Sequence, residues 1–138
     1  MANALYPKWK EALIQNTAGS ALNGTGTTGV YVALVDTGTY TYSAAHQFYS
    51  SLTGIQGTDQ EIGATKVYTN GTFSGGNITF PSVTGVSAEA LVLYVKNAGA
   101  NTTWQLVAYI DTGVTGLPVT PNGGNITVTW NGSGIFAL

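Results

Sequence analysis

The residues best suited to chemistry in this 138-residue chain lie in two copies of Asp-Thr-Gly, Ala33-Leu34-Val35-Asp36-Thr37-Gly38 and Ala108-Tyr109-Ile110-Asp111-Thr112-Gly113. An aspartic protease brings two such loops together so that two carboxylates share one proton, one acting as base toward water and the other as acid. The apolar lead-in to each copy fits that chemistry, but the spacing does not. The copies stand 75 residues apart, too close for two lobes of the pepsin size. A retroviral-type protease uses one copy per chain and would leave the other unexplained. Thr39 and Val114 also stand where a small Ala or Ser is usual. At the end of a strand, Asp-Thr-Gly makes a good turn, with the carboxylate accepting backbone hydrogen bonds and glycine free to take positive φ. Both carboxylates are therefore expected to hold turns.

The other candidates are weaker. Gly24-Thr25-Gly26-Thr27-Thr28-Gly29 matches the dinucleotide fingerprint in letters. That fingerprint must follow a strand and open a helix, whereas this run follows a helical segment and leads into a strand, so it reads as a loop. His46 is the only imidazole, and no Gly-x-Ser-x-Gly elbow accompanies it, which leaves a Ser/His/Asp system without support. Its place beside Phe48 and Tyr49 suits a structural hydrogen-bonding role. With no cysteine and one histidine, zinc has no ligand set. Asp59 and Glu61 offer two carboxylates, while a hard cation wants six to eight oxygens. No catalytic residue, cofactor or metal is assigned, and the protein is expected not to be an enzyme.

Charged residues make up 7% of the chain, with four lysines, no arginine and a net charge of −2. Ordinary soluble domains carry about 25%. Nucleic-acid binding draws most of its affinity from clustered Lys and Arg, so it is not expected. Thr, Gly, Asn and Ser fill 58 of the 138 positions, and hydroxyls, amides and backbone must do the work of charge at the surface. No run approaches the roughly 20 apolar residues of a membrane span. Nor does Met1–Lys8 show a basic stretch followed by an apolar one, so a soluble product made in the cytoplasm is expected. Asn-x-Ser/Thr occurs six times, at Asn23, Asn70, Asn77, Asn101, Asn125 and Asn131. These are read as turn chemistry in a Thr-rich chain.

The elements that must position all this are mostly strands. Pro7 suits the first turn of a helix, and Leu5, Trp9, Ala12 and Leu13 recur at spacings of three and four, predicting a helix that ends by Gly19. Val30–Val35, Leu91–Val95 and Leu106–Ile110 are short continuous apolar runs, as strands covered on both faces require. Ile126-Thr127-Val128-Thr129-Trp130 alternates, which buries Ile126, Val128 and Trp130 and turns both threonines outward. Further strands are expected at Lys66–Thr69, Asn77–Phe80, Val83–Val86, Leu117–Thr120 and Ile135–Ala137. Asn70-Gly71, Asn122-Gly123 and Asn131-Gly132 supply turns. Ser43–Leu52 is read as a short helix carrying Ala44, Phe48 and Leu52, although Phe48-Tyr49 would also suit a strand. The near-copies Gly75-Gly76-Asn77-Ile78-Thr79 and Gly123-Gly124-Asn125-Ile126-Thr127 have no fixed period that would make a solenoid. The expected fold is all-β, a two-sheet antiparallel sandwich of jelly-roll type with a short N-terminal helix. Its parts are an N-terminal helical arm (1–18), a Gly-rich loop (19–29) and a β-sandwich (30–138), in one domain.

The opening Met1-Ala2-Asn3-Ala4-Leu5-Tyr6-Pro7-Lys8-Trp9-Lys10, the segment Asp36–Tyr49 and the tail from Val107 to Leu138 resemble small virion proteins of tailed bacteriophages. Among these, the resemblance is to the head-decoration or cement family. It implies a non-enzymatic structural role on the outer capsid surface, where such proteins bridge neighbouring major capsid subunits and act as dimers or trimers. By the scaling of surface with mass, the chain exposes about 6,800 Å². Few charges at a contact face mean little desolvation cost. Tyr6, Trp9 and Leu13 are then candidate partner contacts, on an arm that reaches across to a neighbour, set against the simpler reading that the Trp9/Leu13 stripe docks on its own domain. Removal of residues 1–16 is expected to leave a folded β domain that no longer binds heads. Phe136 and Leu138 form a second candidate, set against the simpler reading that the last strand closes the sandwich. A tail-associated carbohydrate- or receptor-binding module, with Trp104, which follows the polar Asn101-Thr102-Thr103 run, and Tyr and Asn side chains as a sugar platform, is the alternative from a different class.

Overall fold

The computed structural model describes residues 3–62 and 65–138. Met1 and Ala2, the first residues of the expected arm, lie outside the described residues. The chain is mostly β. Among the described residues, a short strand β1 (Ala4–Leu5) leads into one α-helix, α1 (Pro7–Ile14), and nine more strands follow. They are β2 (Val30–Val35), β3 (Ile55–Glu61), β4 (Val67–Thr69), β5 (Thr72–Ser74), β6 (Ile78–Phe80), β7 (Ala90–Val95), β8 (Gln105–Ile110), β9 (Ile126–Val128) and β10 (Phe136–Ala137). All pairings are antiparallel, in sheets of five (β1-β8-β7-β2-β3), three (β10-β5-β4) and two strands (β6-β9).

The three continuous apolar runs form the centre of the large sheet. β7 and β8 are buried at every residue, and β2 at all but Tyr31, as strands covered on both faces must be. The near-copies around Asn77 and Asn125 become β6 and β9 and pair with each other, Thr79 opposite Thr127, with hydroxyls 3.1 Å apart. Asn70 and Gly71 take φ of 52° and 75° and close the β4–β5 hairpin. Positive φ at both central residues is what a two-residue hairpin turn with the right twist demands.

Several elements differ from expectation. Ser43–Leu52 is not a helix: Leu106 N–H donates to Gln47 O (2.9 Å) and Tyr49 N–H to Trp104 O (2.8 Å). The start of β8 thus takes the backbone groups a helix would need, and only a 3-10 turn, Tyr49–Ser51, remains. Val83–Val86 makes no strand; Val83 instead exchanges hydrogen bonds with Gly123 and Gly124. Of Leu117–Thr120, only Val119 pairs, with Ala88. The N-terminal helix, by contrast, ends ahead of Gly19 as expected, at Ile14, and Asn16 turns the chain with φ of 54°.

The N-terminal segment is not a free arm in this chain. Tyr6 is fully buried and Trp9 is 1% exposed. The Trp9 indole N–H donates to Ser20 O at 2.8 Å, and its ring meets Phe136 edge-on at 5.6 Å. A two-turn helix is marginal alone, and this one is held by the tryptophan it inserts into the core.

Candidate functional site

Both Asp-Thr-Gly runs are turns. Gly38 N–H and the Thr39 hydroxyl donate to the two oxygens of Asp36, each at 2.8 Å. At the second run the side chain of Asn3 does the holding: its Oδ1 accepts from Asp111 N–H (2.7 Å) and Thr112 N–H (3.0 Å). β2 and β8 both run antiparallel to β7, which lies between them. Asp36 and Asp111 therefore leave the same end of the sheet two strand spacings apart, about 10 Å. A proton-sharing dyad needs about 3 Å, so the two do not form one. Glu89, just before β7, accepts from the Thr37 N–H (3.0 Å) and hydroxyl (2.9 Å) and braces the first turn. Gly24–Gly29 is a loop with a 3-10 turn that leads into β2. His46 Nδ1 is hydrogen-bonded to the Tyr40 hydroxyl at 2.9 Å, and that hydroxyl to Tyr6 at 2.7 Å. Burial and the Tyr40 hydrogen bond push the Tyr6 phenol well above its ordinary range.

Two grooves gather the residues singled out above. The first gathers at the C-terminal strand. β10 pairs with β5, Phe136 opposite Phe73, so the last strand does close a sheet. Beside it, Leu22, Tyr68, Phe73, Phe136 and Leu138 line a groove of about 230 Å³ with threonines and a glycine and no charged side chain. Tyr68 is 53% and Leu138 71% exposed. Of the residues expected at a partner contact, Leu138 is exposed and Phe136 and Leu13 are half-buried, whereas Tyr6 and Trp9 lie in the chain's own core.

The second surface is an open groove of about 350 Å³ lined by Tyr31, Tyr49, Asp59, Tyr94, Lys96 and Trp104, with Ile55, Gly57 and Thr58. Its geometry comes from a bulge. Val32 faces Gln60 and Leu34 faces Gln56, so two steps on β2 are matched by four on β3. Gly57, one of the three residues in this irregular stretch of β3, takes φ of 68°, and Val83 Cγ2 lies 3.1 Å from where a β-carbon would stand. Such bulges re-aim side chains. Here Asp59 meets two phenols, its Oδ2 accepting from Tyr94 (2.7 Å) and Tyr49 (2.8 Å). Its Oδ1 is buried without a hydrogen-bond partner among the described residues. Burial raises the Asp59 pKa, against the lowering effect of both phenols and of Lys96. Burial and the Asp59 charge push the Tyr49 and Tyr94 phenols up as well.

The rings are packed on one another. Tyr94 and Trp104 lie almost parallel at 5.8 Å, and Tyr49 touches both, at 4.6 and 5.3 Å. The Lys96 ammonium sits 4.8 Å from the Tyr31 ring and 4.9 Å from the Trp104 ring, within the range of a cation–π contact.

No protein-family model matches the chain, and no curated protein does. Its own residues must carry the argument. Among those described, no group of three or more His, Asp or Glu is placed to hold a metal ion, and no helix is long and apolar enough to cross a membrane. Sequence reasoning named Trp104 and Asp59 separately but missed Tyr31, Tyr49, Tyr94 and Lys96. Tyr31, Tyr94 and Lys96 sit on paired strands at cross-strand and alternate positions, a signal that appears only once the β2–β7 register is known.

Proposed function

We propose that this protein is a structural virion protein that decorates the outer surface of a tailed-bacteriophage capsid. It bridges neighbouring major capsid subunits and stabilises the shell; it acts as a homo-oligomer, dimer or trimer, and is made in the host cytoplasm. The observation that carries this reading is the groove lined by Leu22, Tyr68, Phe136 and Leu138, which presents large apolar side chains and no charged one. An apolar groove with two well-exposed large residues is the surface a protein partner covers at little desolvation cost. The resemblance of the chain to cement proteins supplies the capsid as that partner. The size is suitable: of 6528 Å² of surface, two contacts of about 800 Å² each would cover about a quarter. In this reading the sheets of three and two strands form the second layer of a jelly-roll-type sandwich, over the five-stranded sheet.

The test is co-sedimentation with purified DNA-free heads. The wild-type chain is expected to pellet with heads in many copies per particle. Tyr68→Asp and Leu138→Asp, which place a charge in the groove at its two most exposed large residues, are expected to remain in the supernatant, Leu138→Asp melting normally and Tyr68→Asp losing only its ring contact with Phe73 and its hydrogen bond to Leu22 O. Wild-type chain that stays in the supernatant, or both variants pelleting like wild type, would sink the proposal. Stoichiometry separates the alternative class, since a tail module appears in few copies.

A further inference from the structure

The three-stranded sheet ends at β4, and among the described residues no strand pairs with its outer edge. All three of its residues, Val67, Tyr68 and Thr69, are exposed. The register fixes which backbone groups that edge presents. Thr69 faces Thr72 across the Asn70-Gly71 turn, and the pair that closes a two-residue hairpin is a hydrogen-bonded one. The next pair, Tyr68 and Phe73, is then non-hydrogen-bonded, and the Phe73 carbonyl is engaged on its other side, accepting from Ile135 N–H at 2.8 Å. Tyr68 therefore directs both its N–H and its C=O away from the sheet. Proteins guard such edges with charge, proline, bulges or shortness. β3, at the end of the large sheet, carries Asp59 and Glu61 and a broken register. β4 has neither charge nor proline, and its register with β5 is regular. Lys66, just ahead of it, is turned back on its own chain, its ammonium donating to Gly24 O. Shortness is the one guard left.

We infer that β4 pairs with β4 of a second copy, antiparallel about a two-fold axis between the two Tyr68 residues. A residue that offers one donor and one acceptor outward is self-complementary: each Tyr68 N–H donates to the Tyr68 carbonyl of the other copy. Val67 of each copy then lies opposite Thr69 of the other, and Lys66 opposite Asn70, so no like charges meet. The same residues supply both halves of the contact, as an isologous interface requires, and this selects a second copy as the occupant. A three-residue edge falls short of the about 800 Å² per partner of a standard interface. The pair is therefore weak in free solution and is strengthened where copies are held close together, as on a capsid. In that last step the inference rests on the decoration reading. The two-fold axis stands perpendicular to the joined sheet, so both Tyr68 rings, and with them both C-terminal grooves, lie on one face. Bridging two neighbouring subunits asks for that arrangement.

Sedimentation velocity of the intact chain, up to about 1 mM, is expected to show a monomer–dimer equilibrium with a Kd of about 100 µM. Over that range hydrogen exchange at the Tyr68 amide should slow about fivefold, while the Val67 and Thr69 amides, already paired with β5, should not change. Val67→Lys combined with Thr69→Lys sets like charges directly opposite in this register and is expected to weaken the dimer at least about tenfold. Val67→Lys combined with Thr69→Glu sets opposite charges there and is expected to dimerise at least as well as wild type. Both positions are exposed and outside the hydrophobic core. The inference is overturned by a monomer throughout, by a trimer, by a Tyr68 amide indifferent to concentration, or by the two double variants dimerising alike. Loss of head binding in the double-lysine variant of a chain that stays monomeric would give the edge to a capsid strand and overturn it too. Leu138→Asp, in the groove and off this edge, is expected to dimerise as wild type does while failing to bind heads. A chain that dimerises through β4 yet stays off heads overturns the capsid reading alone, and a monomer that pellets with heads overturns this inference alone.

Discussion

Trp9→Ala is expected to remove a large part of the stability of the whole domain, because that ring is the largest side chain α1 buries. The side chain is 1% exposed, donates to Ser20 O at 2.8 Å and packs edge-on against Phe136. Truncating a buried tryptophan costs about 3–5 kcal/mol, and the stranded Ser20 carbonyl adds about 1 kcal/mol where water cannot reach it. About 5 kcal/mol stands against a total of about 5–15 kcal/mol for a domain of this kind. At about 3–5 °C per kcal/mol for this chain length, the melting temperature should fall by about 15–25 °C. The control sits on the same helix: Ile14 is 86% exposed, and Ile14→Ala should change stability by less than about 0.5 kcal/mol. Urea unfolding followed by far-ultraviolet circular dichroism reads both. Removal of residues 1–16, which the sequence alone suggested would spare the β body, should likewise destabilise it by stripping Tyr6 from Tyr40 and β1 from β8. If Trp9→Ala melts within a few degrees of Ile14→Ala, the helix is a detachable arm and the reasoning fails.

Asp59 gives a pH dependence with a definite sign. Its folded pKa is raised by burial, so the native state holds the proton more tightly than the unfolded chain. The stabilising contribution is then fully present at low pH, below the ordinary carboxylate range, and is lost as pH rises through the folded pKa. Asp59→Asn keeps an acceptor for Tyr49 and Tyr94 but carries no charge. Wild type should therefore gain stability relative to Asp59→Asn as pH falls from neutral toward that range, and a difference independent of pH would refute the assignment. Asn3→Ala removes the acceptor that holds Asp111 N–H and Thr112 N–H. Because the site is exposed to water, the loss should be about 1 kcal/mol, seen as a drop of a few degrees in melting temperature. An unchanged Asn3→Ala would mean that the turn holds itself.

What the sequence made legible follows the physics of each element. β2, β7 and β8 could be read because a strand covered on both faces must be apolar at nearly every position, and Leu91–Val95 and Leu106–Ile110 have no other use. β3 could not. Ile55-Gln56-Gly57-Thr58-Asp59-Gln60-Glu61 shows neither alternation nor an apolar run, because it is an edge strand whose register is broken at Gly57. Yet that break brings Asp59 to Tyr49 and Tyr94. The first Asp-Thr-Gly turn was legible from local chemistry, since Asp36 and Gly38 meet within three residues, whereas at the second the backbone N–H groups of Asp111 and Thr112 go to Asn3, at the far end of the sequence. The aromatic groove draws on residues from 31 to 104 and depends on the β2–β7 register, which a single sequence does not print. The N-terminal stripe shows the opposite limit: periodicity identified Trp9 as a residue that must be buried, but periodicity carries no address. A Trp that docks on its own core and one that docks on a neighbour have the same spacing, and only the Ser20 carbonyl and the Phe136 edge decide between them in this chain. Among the residues the sequence singled out as partner contacts, Leu138 is the one large apolar side chain left well exposed, at 71%.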